Sequence, residues 1–277
     1  MDGVIIINKP KGYTSNDVVQ KVRKALNTKK VGHAGTLDPL ATGVLPILVG
    51  KGTKLSKYLM EHDKTYIATV TLGEKKSTGD LEGETIETEE VKNITQNLIE
   101  QTLSTFLGKQ KQLPPMYSAI KKDGKKLYEY AREGIEVERK PREIEIKDIK
   151  LLAYEKNTIT FEVSCSKGTY IRTLCEDIAQ RLGTVGYMSE LKRIRVNQFT
   201  IEDAVDLENI NKFISIEEIF SDKEWIKLDN QKLPLFLNGV LLTYKKTNGI
   251  YRIKNEENEF IGIGVINDGK LKRDVIT

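Results

Sequence analysis

Strand-like and helix-like segments are interleaved along this chain without a repeating strand–helix–strand period, and that irregular order limits most what it can fold into. β-branched alternation predicts strands over Val4–Ile7, Thr65–Leu72, Ile144–Leu151 and Thr158–Ser164. Val4-Ile5-Ile6-Ile7 is too short for a secretory apolar core and has no basic flank before it, so it reads as a buried strand. Helical spacing predicts Ser15–Leu26, with Ser15 as N-cap and Val18, Val19, Val22 and Leu26 on one face. Thr95–Leu107 ahead of Gly108 and Thr173–Leu182 ahead of Gly183 read as two more helices. The expectation is an α+β fold: a mixed, mainly antiparallel central sheet with flanking helices.

After about Asp222 the texture changes. Short β-type runs are punctuated by Leu237-Asn238-Gly239, Asn248-Gly249 and Asn267-Asp268-Gly269, which predicts a small C-terminal β-barrel. The expected division is 1–222 and 223–277. No apolar run approaches the ~20 residues of a membrane span. Cys165 and Cys175 form no Cys-x-x-Cys pair and read as reduced core cysteines of a cytoplasmic protein.

The net charge of +4 is unevenly placed. Glu74–Glu90 holds seven acids against two lysines and reads as a solvated hairpin. Lys109–Lys126 holds six lysines against one acid, with Pro114, Pro115 and Tyr117 among them. Lysines interleaved with tyrosines suit a phosphate backbone carrying unstacked bases, and equally a solvated loop.

Gly32 to Pro46 is the densest run of unusual residues: Gly-His-Ala-Gly-Thr-Leu-Asp-Pro-Leu-Ala-Thr-Gly-Val-Leu-Pro. Pro39 keeps Asp38 out of a helix, and the flanking glycines let another backbone or a ligand come close. A carboxylate on such a loop can be a nucleophile, a general base or a metal ligand. Metal chemistry is poorly supported, because the only histidines are His33 and His62 and no Cys/His cluster occurs. Gly50-Lys51-Gly52-Thr53-Lys54 lacks the phosphate-loop spacing, no Gly-x-Gly-x-x-Gly follows a strand, and there is no Gly-x-Ser-x-Gly elbow. A cofactor-free, metal-free site built on Asp38 is the expectation.

The Gly32–Pro46 stretch resembles the signature of the bacterial tRNA pseudouridine synthase B family, which isomerises uridine 55 in the T loop of tRNA. Asn8-Lys9-Pro10-Lys11-Gly12 with Thr14-Ser15 resembles its opening motif, and Asp63-Lys64-Thr65-Tyr66 the segment with its active-site tyrosine. Pro114-Pro115-Met116-Tyr117-Ser118-Ala119 and Leu127-Tyr128-Glu129-Tyr130-Ala131-Arg132 resemble its RNA-gripping insertion, here about 109–143. Ser166-Lys167-Gly168-Thr169-Tyr170-Ile171-Arg172 resembles its active-site arginine motif. Gly262-Ile263-Gly264-Val265 through Lys272-Arg273 resembles a PUA RNA-binding domain. One departure is Leu191-Lys192-Arg193 and Asn197, where members often read Leu-Arg-Arg and a later glycine.

The resemblance implies a pseudouridine synthase fold and catalysis by Asp38, with Arg172 as its cationic partner and Tyr66 against the uracil. It implies RNA or uracil contacts from His33, Lys9, Lys54 and Tyr170, and from Lys121, Lys122, Lys125 and Lys126 on the insertion. The carboxylate can attack the base, attack the sugar, or abstract the sugar 2′ proton. The expected partner is the tRNA T stem-loop, met by a monomer without cofactor. The alternative is an RNA-binding, tRNA-folding chaperone in which catalysis is absent or secondary.

Overall fold

The computed structural model describes residues 2–277. The chain runs β1 (Gly3–Lys9), α1 (Ser15–Ala25), β2 (Val31–His33), β3 (Thr42–Val49), a 3-10 turn over Gly50–Leu55, α2 (Ser56–Leu59) and β4 (Lys64–Leu72). It continues through β5 (Glu74–Lys76), β6 (Thr85–Thr88), α3 (Gln96–Ser104), β7 (Gly108–Gln112), β8 (Lys121–Lys122), β9 (Lys125–Lys126) and α4 (Leu127–Arg132). Then come β10 (Arg142–Glu155), β11 (Thr158–Cys165), α5 (Ile171–Arg181), β12 (Gly186–Val196), β13 (Phe199–Thr200), β14 (Ile214–Ser215) and α6 (Ile216–Ile219). The last stretch holds β15 (Trp225–Lys227), α7 (Lys232–Leu237), β16 (Leu242–Thr243), β17 (Gly249–Lys254), β18 (Phe260–Asn267) and β19 (Lys270–Ile276).

Ten strands form one sheet in the order β14-β1-β3-β12-β4-β11-β10-β7, with β2 beside β3 and β13 beside β12. Every pairing is antiparallel except β3 with β12. This is the mixed, mainly antiparallel sheet expected. The parallel joint needs Gly43: its φ is +100°, and a Cβ there would lie 2.2 Å from the Arg193 carbonyl oxygen. Gly43→Ala is therefore expected to lower the melting temperature, because the clash is with backbone and no side chain can swing aside.

β1 is buried on both faces, and its alternation divides the core in two. Ile5 and Ile7 belong to one core that runs along this face of the sheet and includes Val18 and Val22 of α1, Ile99 and Leu103 of α3, and Leu174 and Ile178 of α5. Val4 and Ile6 pack on the opposite face with Leu59 of α2, Ile216 and Ile219 of α6, and Ile263 and Val275 of the C-terminal sheet. That second sheet, in the order β15-β17-β18-β19-β16, curls into a half-barrel. Asn267-Asp268-Gly269 closes the β18–β19 hairpin, with φ +49° and +70° at Asp268 and Gly269. Leu237-Asn238-Gly239 instead ends α7, so it marks a helix stop and not a hairpin.

Asp274 on β19 takes both the Lys57 ammonium and the Tyr58 hydroxyl of α2. The two sheets thus share a core and a polar seam. Removing Trp225–Thr277 would strip Ile263 and Val275 from the shared core, a loss of about 3–6 kcal/mol from those two side chains alone. A chain truncated before Trp225 is expected to unfold at lower temperature in thermal denaturation, so deletion cannot isolate an RNA-binding role.

Candidate active site

Asp38 lies on the loop between β2 and β3, and four anchors fix that loop. Leu37, Leu40 and Ala41 bury their side chains in the core below it. Ser15 Oγ accepts from the Leu37 N–H at 2.8 Å and donates to the Leu37 carbonyl at 3.1 Å. Ser15 is thus a clamp on the loop, while Thr14 is the N-cap of α1, in a capping box with Asp17. Gly12 N–H and Lys9 Nζ both donate to the Pro39 carbonyl, at 2.8 and 3.2 Å. Arg193 donates to the carbonyls of Gly35, Thr36 and Val44, on both sides of Asp38.

Arg172 occupies the first turn of α5. Gln112 on β7 bonds both the N–H and the carbonyl of Tyr170, the residue that starts this helix, at 2.8 and 3.0 Å. The guanidinium is 7% exposed and bridges several partners. Nε meets Asp38 Oδ2 at 3.1 Å, and Nη1 meets Asp80 Oδ2 at 3.5 Å. Nη1 also donates to the Thr78 carbonyl at 3.1 Å, and Nη2 to the Tyr117 carbonyl at 2.7 Å. Asp38 receives a single contact, not a two-point fork, because the remaining donors are spread over Asp80 and two carbonyls.

These groups line a cleft of about 580 Å³, of the size that takes a small-molecule ligand, together with Tyr66, Tyr128, Arg132, Tyr170 and Lys64. The Asp38 side chain is crowded by the walls yet keeps 35% of its surface open. Burial pushes its carboxyl pKa up, with Arg172 pulling the other way. Single-turnover rates that depend on ionised Asp38 are therefore expected to fall on acidification through a pKa above that of a free aspartate. Burial raises the Tyr66 phenol to about 12, so it stays protonated at neutral pH.

Among the other expected contacts, Tyr170 lines the cleft. Lys9 does not reach it. The side chain is 0% exposed, and its ammonium is spent on the carbonyls of Pro10, Tyr13 and Pro39, so it holds the Asp38 loop and cannot touch RNA. Burial also lowers its pKa to about 8. His33 lies at the end of β2, opposite Ile47, and outside the cleft lining. Lys54 sits exposed on the 3-10 turn, also outside it.

The four insertion lysines share the β8–β9 hairpin. Lys121 is exposed, and Lys122 donates to the Glu138 carbonyl. Lys125 pairs with Glu133, and Lys126 donates to Tyr128 Oη. Lys121 and Lys122 border a second groove of about 380 Å³ with Arg139, Lys140 and Arg142.

Sequence reasoning missed Asp80, Lys64 and Arg193. Asp80 belongs to the acidic stretch read as solvated. β6 is indeed exposed throughout, but the turn before it tucks Asp80 in to 4% exposure, where it takes Thr78 Oγ1 at 2.6 Å. Lys64 and Arg193 sat inside quoted motifs without a role. The departure near Arg193 is mild: Lys192 is exposed, and Asn197 adopts φ +53°, which asparagine tolerates in place of glycine. Among the described residues no group of three or more His, Cys, Asp or Glu side chains could hold a metal ion. Among them, too, no helix is long and apolar enough to cross a membrane.

Residues 23–171 match the model of the TruB family pseudouridylate synthase N-terminal domain, and 172–235 that of the tRNA pseudouridylate synthase B C-terminal domain. The tRNA pseudouridine synthase B of Clostridium kluyveri is 44% identical, over 98% of this chain and 98% of its own. That of Francisella philomiragia is 41% identical, over 98% of this chain and 93% of its own. A chain from the crystal structure of a Cbf5-Nop10-Gar1 complex shares the fold, with a TM-score of 0.71 at 24% identity, covering 99% of this chain and 83% of that one.

Proposed function

The chain belongs to the TruB family of pseudouridylate synthases, and we propose that it isomerises uridine 55 in the T loop of tRNA, with Asp38 acting on the nucleotide. The observation that carries the assignment of Asp38 is its pairing with Arg172, which is itself buried beside Asp80, while the Asp38 side chain stays open to the cleft. Isomerisation breaks the N1–C1′ bond and forms C5–C1′. N1 gains a proton and C5 loses one, so no electron carrier is required. A base stacked within a folded loop must be extruded before its C1′ and C5 come within reach. Tyr66 flanks the extruded uracil, and Arg172 keeps Asp38 ionised against the pull of burial.

Activity is expected to persist in EDTA without added nucleotide, measured on a T stem-loop whose fold needs no magnesium. Strict dependence on a protein-bound metal would overturn the chemistry. The partner surface we propose is the β8–β9 hairpin and its basic groove, on an insertion at about 109–143. Lysine contacts in exposed pairs are weak and exchange readily for phosphate. Replacing Lys121, Lys122, Lys125 and Lys126 with alanine should flatten the log–log salt slope of tRNA binding by about one to three units. Chemistry on bound RNA should change much less.

We take the functional division at 222/223, since β14 ends the large sheet before it and β15 starts the second sheet after it. The reading is of a monomer acting in the cytoplasm, where Cys165 and Cys175, both buried and unpaired, stay reduced.

A further inference from the structure

Lys64 brings a charge to the cleft wall for which the protein offers no counter-ion. It is 9% exposed, starts β4 and lines the cleft. Its ammonium donates to the Met60 carbonyl at 3.2 Å and to the His62 carbonyl at 2.6 Å. An ammonium has three N–H donors, and among the described residues the third has no partner. The two acids of the turn before it are engaged elsewhere: Glu61 pairs with Lys167, and Asp63 with Lys147 at 2.5 Å. A second cation lies close by. A Cβ on Gly35, in the Asp38 loop, would stand 3.5 Å from Arg193 Nη1 and 3.8 Å from Lys64 Cε. Among the described residues no carboxylate pairs with either cation. Burial, with the Arg193 charge acting in the same direction, lowers the Lys64 pKa to about 8. Taking a charge out of water without a counter-ion is costly, and carbonyl dipoles recover that cost only in part.

We infer that Lys64 takes a phosphodiester flanking the extruded uridine, so that the substrate RNA supplies the missing counter-ion. RNA carries its negative charge on the phosphates, whereas a uracil carbonyl would only add a third dipole to the two already there. The position suits that ligand. Lys64 and Tyr66 are two residues apart on β4 and project from the same face, about 7 Å apart along the strand. A nucleotide whose base lies against Tyr66 carries a phosphate on each side of its sugar, within reach of the Lys64 stem. That stem lies against Gly35, and the two carbonyls hold the ammonium in place. Little side-chain freedom is then left to lose when the phosphate arrives.

This role rests on the extruded uridine of the proposed reaction, and separate readouts keep the two claims apart. Lys64→Met, similar in shape and uncharged, is compared with the parent chain in equilibrium binding, which needs no turnover. The ligands are a native T stem-loop and two versions with a single neutral methylphosphonate linkage, on the 5′ or the 3′ side of the target uridine. Lys64→Met should weaken binding to the native RNA about 10- to 100-fold, the scale of one hydrogen bond to a charged group. On at least one neutral-linkage RNA the loss should shrink below about threefold, because the partner charge is already gone. Equal losses on all the RNAs would make Lys64 a staple of the turn before β4 and overturn the inference. An unchanged affinity for native RNA would overturn it as well. Should Lys64→Met not fold in thermal denaturation, Lys64→Gln, which keeps donors for the two carbonyls, takes its place in the same comparison. A parent chain that forms no pseudouridine on the native RNA would sink the proposed reaction, while the binding comparison still decides what Lys64 holds.

Discussion

Asp38→Asn is expected to bind tRNA about as well as the parent chain and to form no measurable pseudouridine. The amide is nearly isosteric, and the anchors of its loop are backbone groups met by Ser15, Lys9, Gly12 and Arg193, none of which depends on the carboxylate. What is lost is the nucleophile or base itself, a change that costs on the order of 10⁴-fold or more when the group reacts directly. The protein should not be destabilised. Burial raises the Asp38 pKa, so the ionised form is the costly one in the folded state, and a neutral amide relieves that cost. An inactive variant with an unchanged or higher melting temperature is the signature of a residue kept for chemistry. Residual turnover within about tenfold of the parent would take Asp38 out of the mechanism.

Arg172→Lys should be the second most damaging change, although it keeps the charge. The guanidinium serves Asp38, Asp80, Thr78 and Tyr117 from separate nitrogens. An ammonium on a flexible stem is a point charge and cannot span those directions at once. A lysine that stays near Asp80 leaves Asp38 short of its cation, so the carboxyl pKa climbs further and the ionised fraction falls. A lysine that stays near Asp38 leaves Asp80 buried and unpaired, which costs about 3–5 kcal/mol of stability. Activity is expected to drop about 100-fold or more. Near-full activity would show that the spread of partners is structural and that a single positive charge suffices.

The sheet was legible in the sequence because its strands carry strong local signals. The Val4–Ile7 run, the alternation over Thr65–Leu72 and the Asn-Asp-Gly turn each state their conformation within a few residues. Asp38, Tyr66 and Arg172 were legible as a set only through motif resemblance, since they lie on a loop, a strand and a helix far apart in the chain. The structure brings all three to one cleft. Asp80 was not legible, because composition marks its segment as solvated and only the tertiary turn buries it. Lys9 was misassigned for a related reason. A lysine beside a proline and a glycine reads as an exposed cation, and nothing local reveals that three carbonyls wait for it inside the fold. The two-sheet core was likewise invisible, because Ile263 and Val275 satisfy a strand pattern whichever neighbour they pack on.

The central claim is that this chain converts a T-loop uridine at Asp38. The most direct measurement incubates the purified protein with an unmodified T stem-loop transcript, in substrate excess, and quantifies pseudouridine in the product. The account predicts several turnovers per protein, confined to one uridine and abolished by Asp38→Asn. RNA that is bound or refolded without any pseudouridine would contradict it, and would leave the chain an RNA-folding protein on a synthase scaffold.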